Sequence, residues 1–255
     1  MFKGANFIFN EIPSEKFGLK IGFLSESAVK NTYSGLKLSI EEEKIKRVDQ
    51  PVFFGIEKTG KISFEILVYS EVEVDTYDRQ VIDRWLFQNE YKYFKIEQPD
   101  YNGLFFRCIM TEATKVEIGE TPYMKKIIVT CDSPYVYTDE YIYNSISTST
   151  PSNINITNLS NINGYSYPEF IITTTTSGSV SIKNNTDSRT FLLNGLDNAE
   201  TITVDNDKKI ILSDSGLRRM SNFNKNWFRL LPDINNLTLT GNFNLAIKIR
   251  YRLTI

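Results

Sequence analysis

The sequence contains no histidine among its 255 residues. This absence excludes Ser-His and Cys-His relays, zinc sites with histidine ligands and histidine-based pH switches. A basic excess is also missing, because 29 Lys and Arg stand against 31 Asp and Glu, a net charge of -2. Proteins that bind nucleic acid through its phosphates are usually clearly basic. No apolar run reaches the roughly 18 residues of a transmembrane helix, and the opening residues lack the apolar segment of a signal peptide. We therefore expect neither a membrane span nor a secretion signal.

Cysteine is nearly absent as well, with Cys108 and Cys131 as the two examples. Both lie in strand-like runs. Two thiols without a CxxC spacing or a histidine make a poor metal site. The favoured interpretation is a pair of small buried side chains in a reducing compartment, and the alternative is a disulfide between neighbouring strands. No metal and no cofactor are predicted.

Charge divides the chain into two unequal parts. Residues 1–140 carry 18 basic and 23 acidic side chains, a net -5, whereas residues 141–255 carry 11 and 8, a net +3. The 28 residues between Glu140 and Glu169 carry no charge. Much of this gap is Ser, Thr and Asn, so Ser145–Asn153 is predicted to be a loop or linker. The predicted organisation is an N-terminal domain at 1–140, a polar junction at 141–164 and a C-terminal domain at 165–255.

The pattern of apolar residues indicates a mainly β fold in both halves. In the first half, Ile62–Val68 alternates as a half-buried strand does, and later strand-like runs follow one another with turn residues between them. One helix is predicted, capped by Asp75 or Thr76, with an apolar packing stripe formed by Tyr77, Val81, Ile82, Trp85 and Leu86. The second half has about seven short strands over about 90 residues, which indicates a β-sandwich.

Catalytic motifs are missing. The sequence has no GxSxG, HExxH, P-loop or GxGxxG pattern, and no pair of carboxylates can be assigned to a cleft from sequence alone. The run Glu41-Glu42-Glu43 is typical of a solvated loop or a strand end. We expect a protein that is not an enzyme.

Strings along most of the chain resemble the distal tail protein family of siphophage tails and related phage-like particles. At the N-terminus the resemblance lies in Phe7–Leu19, although Glu11 stands where the family often has Gly, and in the strand and helix of Ile62–Phe87. In the second half it lies in three further strings, Asn161–Ile172, Phe191–Asp205 and Phe228–Asn235. Asp233 replaces the Gly that the family usually has in its late turn.

The resemblance implies a structural role at the tip of a virion tail, assembled in the host cytoplasm. In that family the N-terminal domains form a ring, usually a hexamer, around a channel, and a galectin-like C-terminal β-sandwich projects outward. The implied partners are other copies of the chain, the tail tube protein, the tail-associated baseplate protein and, in some members, a receptor-binding protein. No sequence-specific nucleic-acid binding and no membrane insertion are implied.

Two sets of residues are candidate contacts. If the -5 half surrounds the channel, a negative wall would let DNA pass without binding it. We therefore expect residues 26–50 to reach the lumen or a ring neighbour, with contacts from Glu41, Glu42, Glu43, Lys44 and Arg47. The alternative function is a carbohydrate-binding sandwich that recognises cell-wall sugars, and the aromatic candidates for a sugar or partner contact are Tyr165, Tyr167 and Trp227.

Overall fold

The structure, a computed structural model, describes residues 4–22, 37–70, 72–115 and 123–254. The chain forms two compact units, one that extends through Tyr137 and one that comprises Thr138–Leu253. Residues 26–36, the first part of the 26–50 segment, lie outside the described residues.

The N-terminal unit is built from short antiparallel strands and one helix in its described part. The elements are β1 (Phe7–Phe9), β2 (Ile12–Pro13), β3 (Leu19–Gly22), β4 (Lys37–Glu43), β5 (Val52–Thr59), β6 (Ser63–Ser70), α1 (Thr76–Leu86), β7 (Lys92–Ile96), β8 (Leu104–Lys115), β9 (Tyr123–Cys131) and β10 (Val136–Thr138). Strands of one sheet follow the order β2-β1-β7-β8-β9-β6-β3. The strand alternation predicted at Ile62–Val68 corresponds to β6, whose residues Ile66 and Val68 are buried.

Helix α1 covers one side of this sheet. Asp75 caps it, because its Oδ1 accepts a hydrogen bond from the backbone N–H of Asp78 at 2.7 Å and satisfies one of the free donors of the first turn. Trp85 is buried and donates its indole N–H to the Phe9 carbonyl at 3.0 Å. The ring of Trp85 stacks on Phe7 with centroids 5.7 Å apart. The helix is therefore fixed to β1 by both packing and a buried hydrogen bond.

The predicted packing stripe is wrong at one of its five residues. Ile82, Trp85 and Leu86 are buried, but Tyr77 is exposed. Tyr77 lies in the first turn of the helix. The packed stripe begins one turn later, where Val81 is half-buried and Ile82 is buried.

The C-terminal unit is a β-sandwich of two antiparallel sheets. Its sheets are formed by β11 (Tyr141–Ser147), β12 (Ser152–Asn158), β13 (Glu169–Thr174), β14 (Gly178–Asn184), β15 (Arg189–Leu196), β16 (Thr201–Asp205), β17 (Ile210–Ser213), β18 (Asp233–Thr240) and β19 (Phe243–Ile249). The short strand β20 (Arg252–Leu253) lies in neither of these two sheets. A five-stranded sheet has the order β11-β19-β13-β16-β17, and a four-stranded sheet has the order β12-β18-β14-β15.

The sandwich core lies between the inner faces of these two sheets. Phe170 of the five-stranded sheet meets Phe191 of the four-stranded sheet edge to face, with ring centroids 5.6 Å apart, and both side chains are fully buried. Alternate residues of the same strands point outward, as the period of two in a strand requires. The predicted fold class, mainly β with a helix-containing N-terminal part and a C-terminal sandwich, is confirmed.

The prediction of a loop at Ser145–Asn153 is wrong for most of its length. β11 runs through Ser147, and β12 begins at Ser152. The polar side chains are used within the sheets: the Ser147 hydroxyl donates to the Gly241 carbonyl at 2.8 Å. Pairing of β11 with β19 and of β12 with β18 thus overrides the weak strand preference of Ser and Asn.

Candidate functional site

The most exposed element of the described N-terminal unit is a hairpin formed by β4 and β5. These two strands pair with one another in a sheet of their own, with Lys37 opposite Thr59 and Ile40 opposite Ile56. The register shifts between Glu41 and Glu42, which leaves Phe54 as an extra residue in a β-bulge. Every β4 side chain is exposed to solvent.

The two faces of this hairpin differ in character. Leu38, Ile40 and Ile56 share one face, because side chains alternate along a strand and opposite partners share a face. These three side chains are 52%, 62% and 52% exposed, and Phe54 at the bulge is 63% exposed. The other face carries Lys37, Ser39, Glu57 and Thr59. The register also pairs Leu38 with Lys58 and Glu42 with Phe53, so the first face has charged positions at both ends of its apolar centre. We refer to this first face, with Leu38, Ile40, Phe54 and Ile56, as the apolar hairpin face.

Such a hairpin is incomplete by itself. An isolated two-stranded hairpin is marginally stable in water, and it usually needs a third strand or a packed face. Contiguous apolar side chains that are exposed on a surface can mark sites of protein contact. The apolar hairpin face therefore has the properties of an assembly surface.

The charged residues singled out from sequence lie at the far end of the same hairpin. Glu41, Glu42 and Glu43 end β4, and Lys44 and Arg47 follow in the connection to β5; all five are exposed. The structure thus brings them together, but the apolar residues beside them were missed. A signal was present in the spacing of Leu38 and Ile40 and in the run Val52-Phe53-Phe54, which the neighbouring glutamates obscured.

The aromatic residues singled out in the C-terminal unit do not form one open platform. The guanidinium of Arg229 lies over the ring of Tyr165 at 3.8 Å from the centroid, and its Nε is paired with Asp187 Oδ2 at 3.0 Å. Trp227 is half-buried and packs against Phe223 at 4.7 Å between ring centroids. Tyr167 is also half-buried.

A buried ion cluster in the C-terminal unit was not anticipated from sequence. The Arg219 and Glu200 side chains are 7% and 1% exposed, and Arg219 Nη2 donates to Glu200 Oε2 at 2.6 Å and to Asp197 Oδ2 at 2.7 Å. Ser213 Oγ and the Asp197 backbone N–H also donate to the Glu200 carboxylate. Burial by itself raises the pKa of Glu200, but the hydrogen bonds from Arg219, Ser213 and Asp197 outweigh it and lower that pKa to about 2.

This cluster links several segments of the C-terminal unit. Arg219 also donates Nη1–H to the Gly195 carbonyl at 3.0 Å, so its contacts join the end of β15, the start of β16 and the segment after β17. The described residues contain no group of three or more Cys, Asp and Glu able to hold a metal ion. A shallow depression of about 590 Å³ on the five-stranded sheet is lined by Asn, Ser, Thr, Ala, Ile and Leu and by no acid or base.

No helix in the described part of the chain combines the length and apolarity that crossing a bilayer requires.

Two β-rich units with an exposed apolar hairpin and with polar clusters that serve packing are the features of an assembly protein. Family models support that class. Residues 2–133 match a family described as phage tail protein N-terminal domain, and residues 135–251 match one described as phage tail C-terminal domain. The chain belongs to this family of phage tail proteins.

Solved structures share the fold over almost the whole chain. The crystal structure of the Dit protein of phage SPP1, described as a paradigm of the hub adsorption apparatus in phages that infect Gram-positive bacteria, aligns with a TM-score of 0.68 and 12% identity. The alignment covers 98% of this chain and 100% of that one. A chain of the phage P2 baseplate in its activated conformation with Ca aligns with a TM-score of 0.54, 9% identity and coverage of 97% and 98%.

No curated protein matches the sequence. The family models and the shared fold nevertheless agree with the resemblance of the sequence to distal tail proteins, and that prediction is confirmed. The chain is a structural protein of a phage tail.

Proposed function

We propose that this protein is the hub of a tail tip, a homo-hexameric ring that joins the tail tube to the tail-associated and receptor-binding proteins. It acts in the virion after assembly in the host cytoplasm. The observation that carries the proposal is the apolar hairpin face, which needs a cover that the described part of the chain does not supply. Its full-length likeness in fold to a hub protein supports the same conclusion.

The cover in this proposal is a neighbouring copy of the chain. A ring needs two different surfaces on each subunit that meet by rotation, and a hairpin arm with one apolar face provides one of them. The opposite face of the hairpin, which carries Ser39 and Glu57, remains toward solvent. The acidic end at Glu41–Glu43 then faces the lumen or the rim of the neighbour, where it keeps the channel wall negative and repels the DNA phosphates.

Sugar binding by the C-terminal unit remains the alternative, and the geometry favours it less. A sugar ring stacks on an open aromatic face. Arg229 already lies over one face of Tyr165, and Trp227 is directed toward Phe223. The division into two domains is likewise part of the proposal, with the N-terminal domain in the ring and the sandwich outside it.

The ring can be tested with a paired change on the apolar hairpin face. Ile40→Ser with Ile56→Ser removes two directly opposed apolar side chains. Ile40 and Ile56 are 62% and 52% exposed in the single subunit. If this exposed part is buried between subunits, the change costs roughly 2–3 kcal/mol per interface and weakens association by about 30-fold or more. Light scattering coupled to size exclusion should then report a mass near six subunits for the wild type and a monomer for the double variant.

The matched control lies on the other face of the same hairpin, one residue away in each strand. Ser39→Ala with Glu57→Gln leaves the apolar hairpin face intact, so this variant should assemble as the wild type does. Circular dichroism of all three proteins checks that folding is unchanged. A wild-type chain that stays monomeric at all concentrations, or an I40S/I56S variant that assembles normally, would contradict the proposal.

A further inference from the structure

The two cysteines are opposite one another in the central sheet of the N-terminal unit. Cys108 in β8 is the register partner of Cys131 in β9. Both side chains are fully buried, at 0% exposure, and both thiols are free. The fold thus makes neighbours of two cysteines that are 23 positions apart in the sequence.

Backbone hydrogen bonds show which kind of cross-strand pair this is. One step along the ladder, the Asp132 N–H donates to the Arg107 carbonyl at 2.9 Å, whereas the Cys131 N–H turns away from β8 and donates to the Ile62 carbonyl at 2.8 Å. Hydrogen-bonded and non-hydrogen-bonded pairs alternate along an antiparallel ladder. Cys108 and Cys131 are therefore a non-hydrogen-bonded pair.

This pair type suits a disulfide. In a non-hydrogen-bonded pair the Cα atoms are about 4.5 Å apart and the side chains are closer than in the other type. Disulfides span Cα separations of about 4.4–6.8 Å. We propose that Cys108 and Cys131 are a modification site, at which an intramolecular disulfide links β8 to β9 when the chain folds in the presence of a disulfide oxidant.

The reaction is thiol–disulfide exchange and needs no metal. One cysteine thiolate attacks glutathione disulfide and displaces one glutathione thiolate. The second cysteine thiolate then attacks the mixed disulfide and displaces the other glutathione. Two cysteine thiols are oxidised to one disulfide, one glutathione disulfide is reduced to two thiols, and the protons of the cysteines pass to the glutathione thiolates.

Because both thiols are buried in the folded protein, the disulfide can form only while the chain folds. Burial raises the pKa of the Cys131 thiol to about 12, with a further contribution from the Asp132 carboxylate, and burial also raises the pKa of Cys108 well above its usual range. The thiolate is the reactive species, so the folded protein offers the oxidant neither a nucleophile nor access. A chain folded in a reducing compartment keeps its thiols, and a chain folded with oxidant acquires the link.

The test compares two refolding conditions for the full chain. Denatured protein is refolded either with reduced glutathione or with a mixture of reduced and oxidised glutathione. Oxidative refolding should lower the intact mass by about 2 Da and remove both thiols from titration in denaturant. Because the link closes a loop of this length, the melting temperature should rise by about 5–10 °C. Reduced protein that has already folded should keep both thiols in the same mixture for hours.

Cys108→Val and Cys131→Val serve as controls. Each should show no difference in melting temperature between the two refolding conditions. The thiol count and the peptide map of the wild type decide the matter even if a valine variant fails to fold. Two titratable thiols after oxidative refolding, a disulfide-linked dimer, or rapid oxidation of the folded protein would overturn the proposal.

Discussion

Glu200 shows at the residue scale how the fold uses a buried charge to join separate segments of the chain. Its carboxylate is enclosed with Arg219, which forms two hydrogen bonds to it. Because the folded pKa of about 2 lies below the ordinary value of 4.5, the stabilisation is fully present above about pH 4.5. It is lost as the pH falls from there toward the folded pKa.

Glu200→Gln should therefore change the response to acid. At neutral pH the variant should be less stable by about 3 kcal/mol, because the buried Arg219 loses its main partner. Between about pH 6 and 2.5 its further loss of unfolding free energy should be smaller than that of the wild type by roughly 2–3 kcal/mol. Urea unfolding at both pH values measures this. Asp207→Asn, at an exposed carboxylate, is the control and should follow the wild type.

At the scale of elements, the sequence predicted what local patterns determine. Alternation at Ile62–Val68 identified β6, and a capping residue followed by an apolar stripe identified α1. The ladder β4–β5 was missed because three consecutive glutamates disfavour a strand when judged locally. The strands inside Ser145–Asn153 were missed for a related reason. Ser and Asn become strand residues there through pairing with β18 and β19, which are distant in sequence.

The candidate surfaces also divide into features that local sequence patterns determine and features that depend on long-range pairing. Sequence located the charged end of the hairpin but not its apolar face, since a face is defined by the register of Ile40 with Ile56. Glu200 and Arg219 are 19 positions apart in the sequence, and no local sequence pattern predicts that they form a pair. The sequence also contained no indication that the Arg229 guanidinium covers one face of Tyr165.

Helix α1 gives a prediction at this scale. Asp75→Ala removes the side chain that accepts the Asp78 N–H, and it should lower the free energy of unfolding by about 1 kcal/mol. Asp75→Asn should lose much less, because asparagine caps a helix nearly as well. Thermal unfolding followed by circular dichroism compares the two. Equal losses in both variants would show that charge rather than capping matters at this position.

At the scale of the whole molecule, the chain consists of two compact units with separate cores. The sandwich core is formed entirely by residues from Ile156 to Tyr251. Each core should therefore support a fold of its own.

A chain of residues 135–255 should fold without the N-terminal unit. We expect one cooperative thermal transition and a far-ultraviolet spectrum typical of β-structure. The full-length protein should retain the same transition beside that of the N-terminal unit. A broad, non-cooperative melt of the isolated piece would show that the sandwich depends on the rest of the chain. Residues 1–137, examined in parallel, provide the comparison.

If the chain assembles as proposed, the apolar hairpin face is exposed in every subunit that has not yet been assembled. A newly folded subunit displays Ile40, Phe54 and Ile56 to the cell, and the outer edges of β4 and β5 can pair with any other strand. Glu41–Glu43 lie directly beside this hazard and act as gatekeepers, since like charges oppose the stacking of hairpins in register. In the proposed ring, the same three glutamates would oppose the aggregation of a subunit that has not yet bound its neighbours.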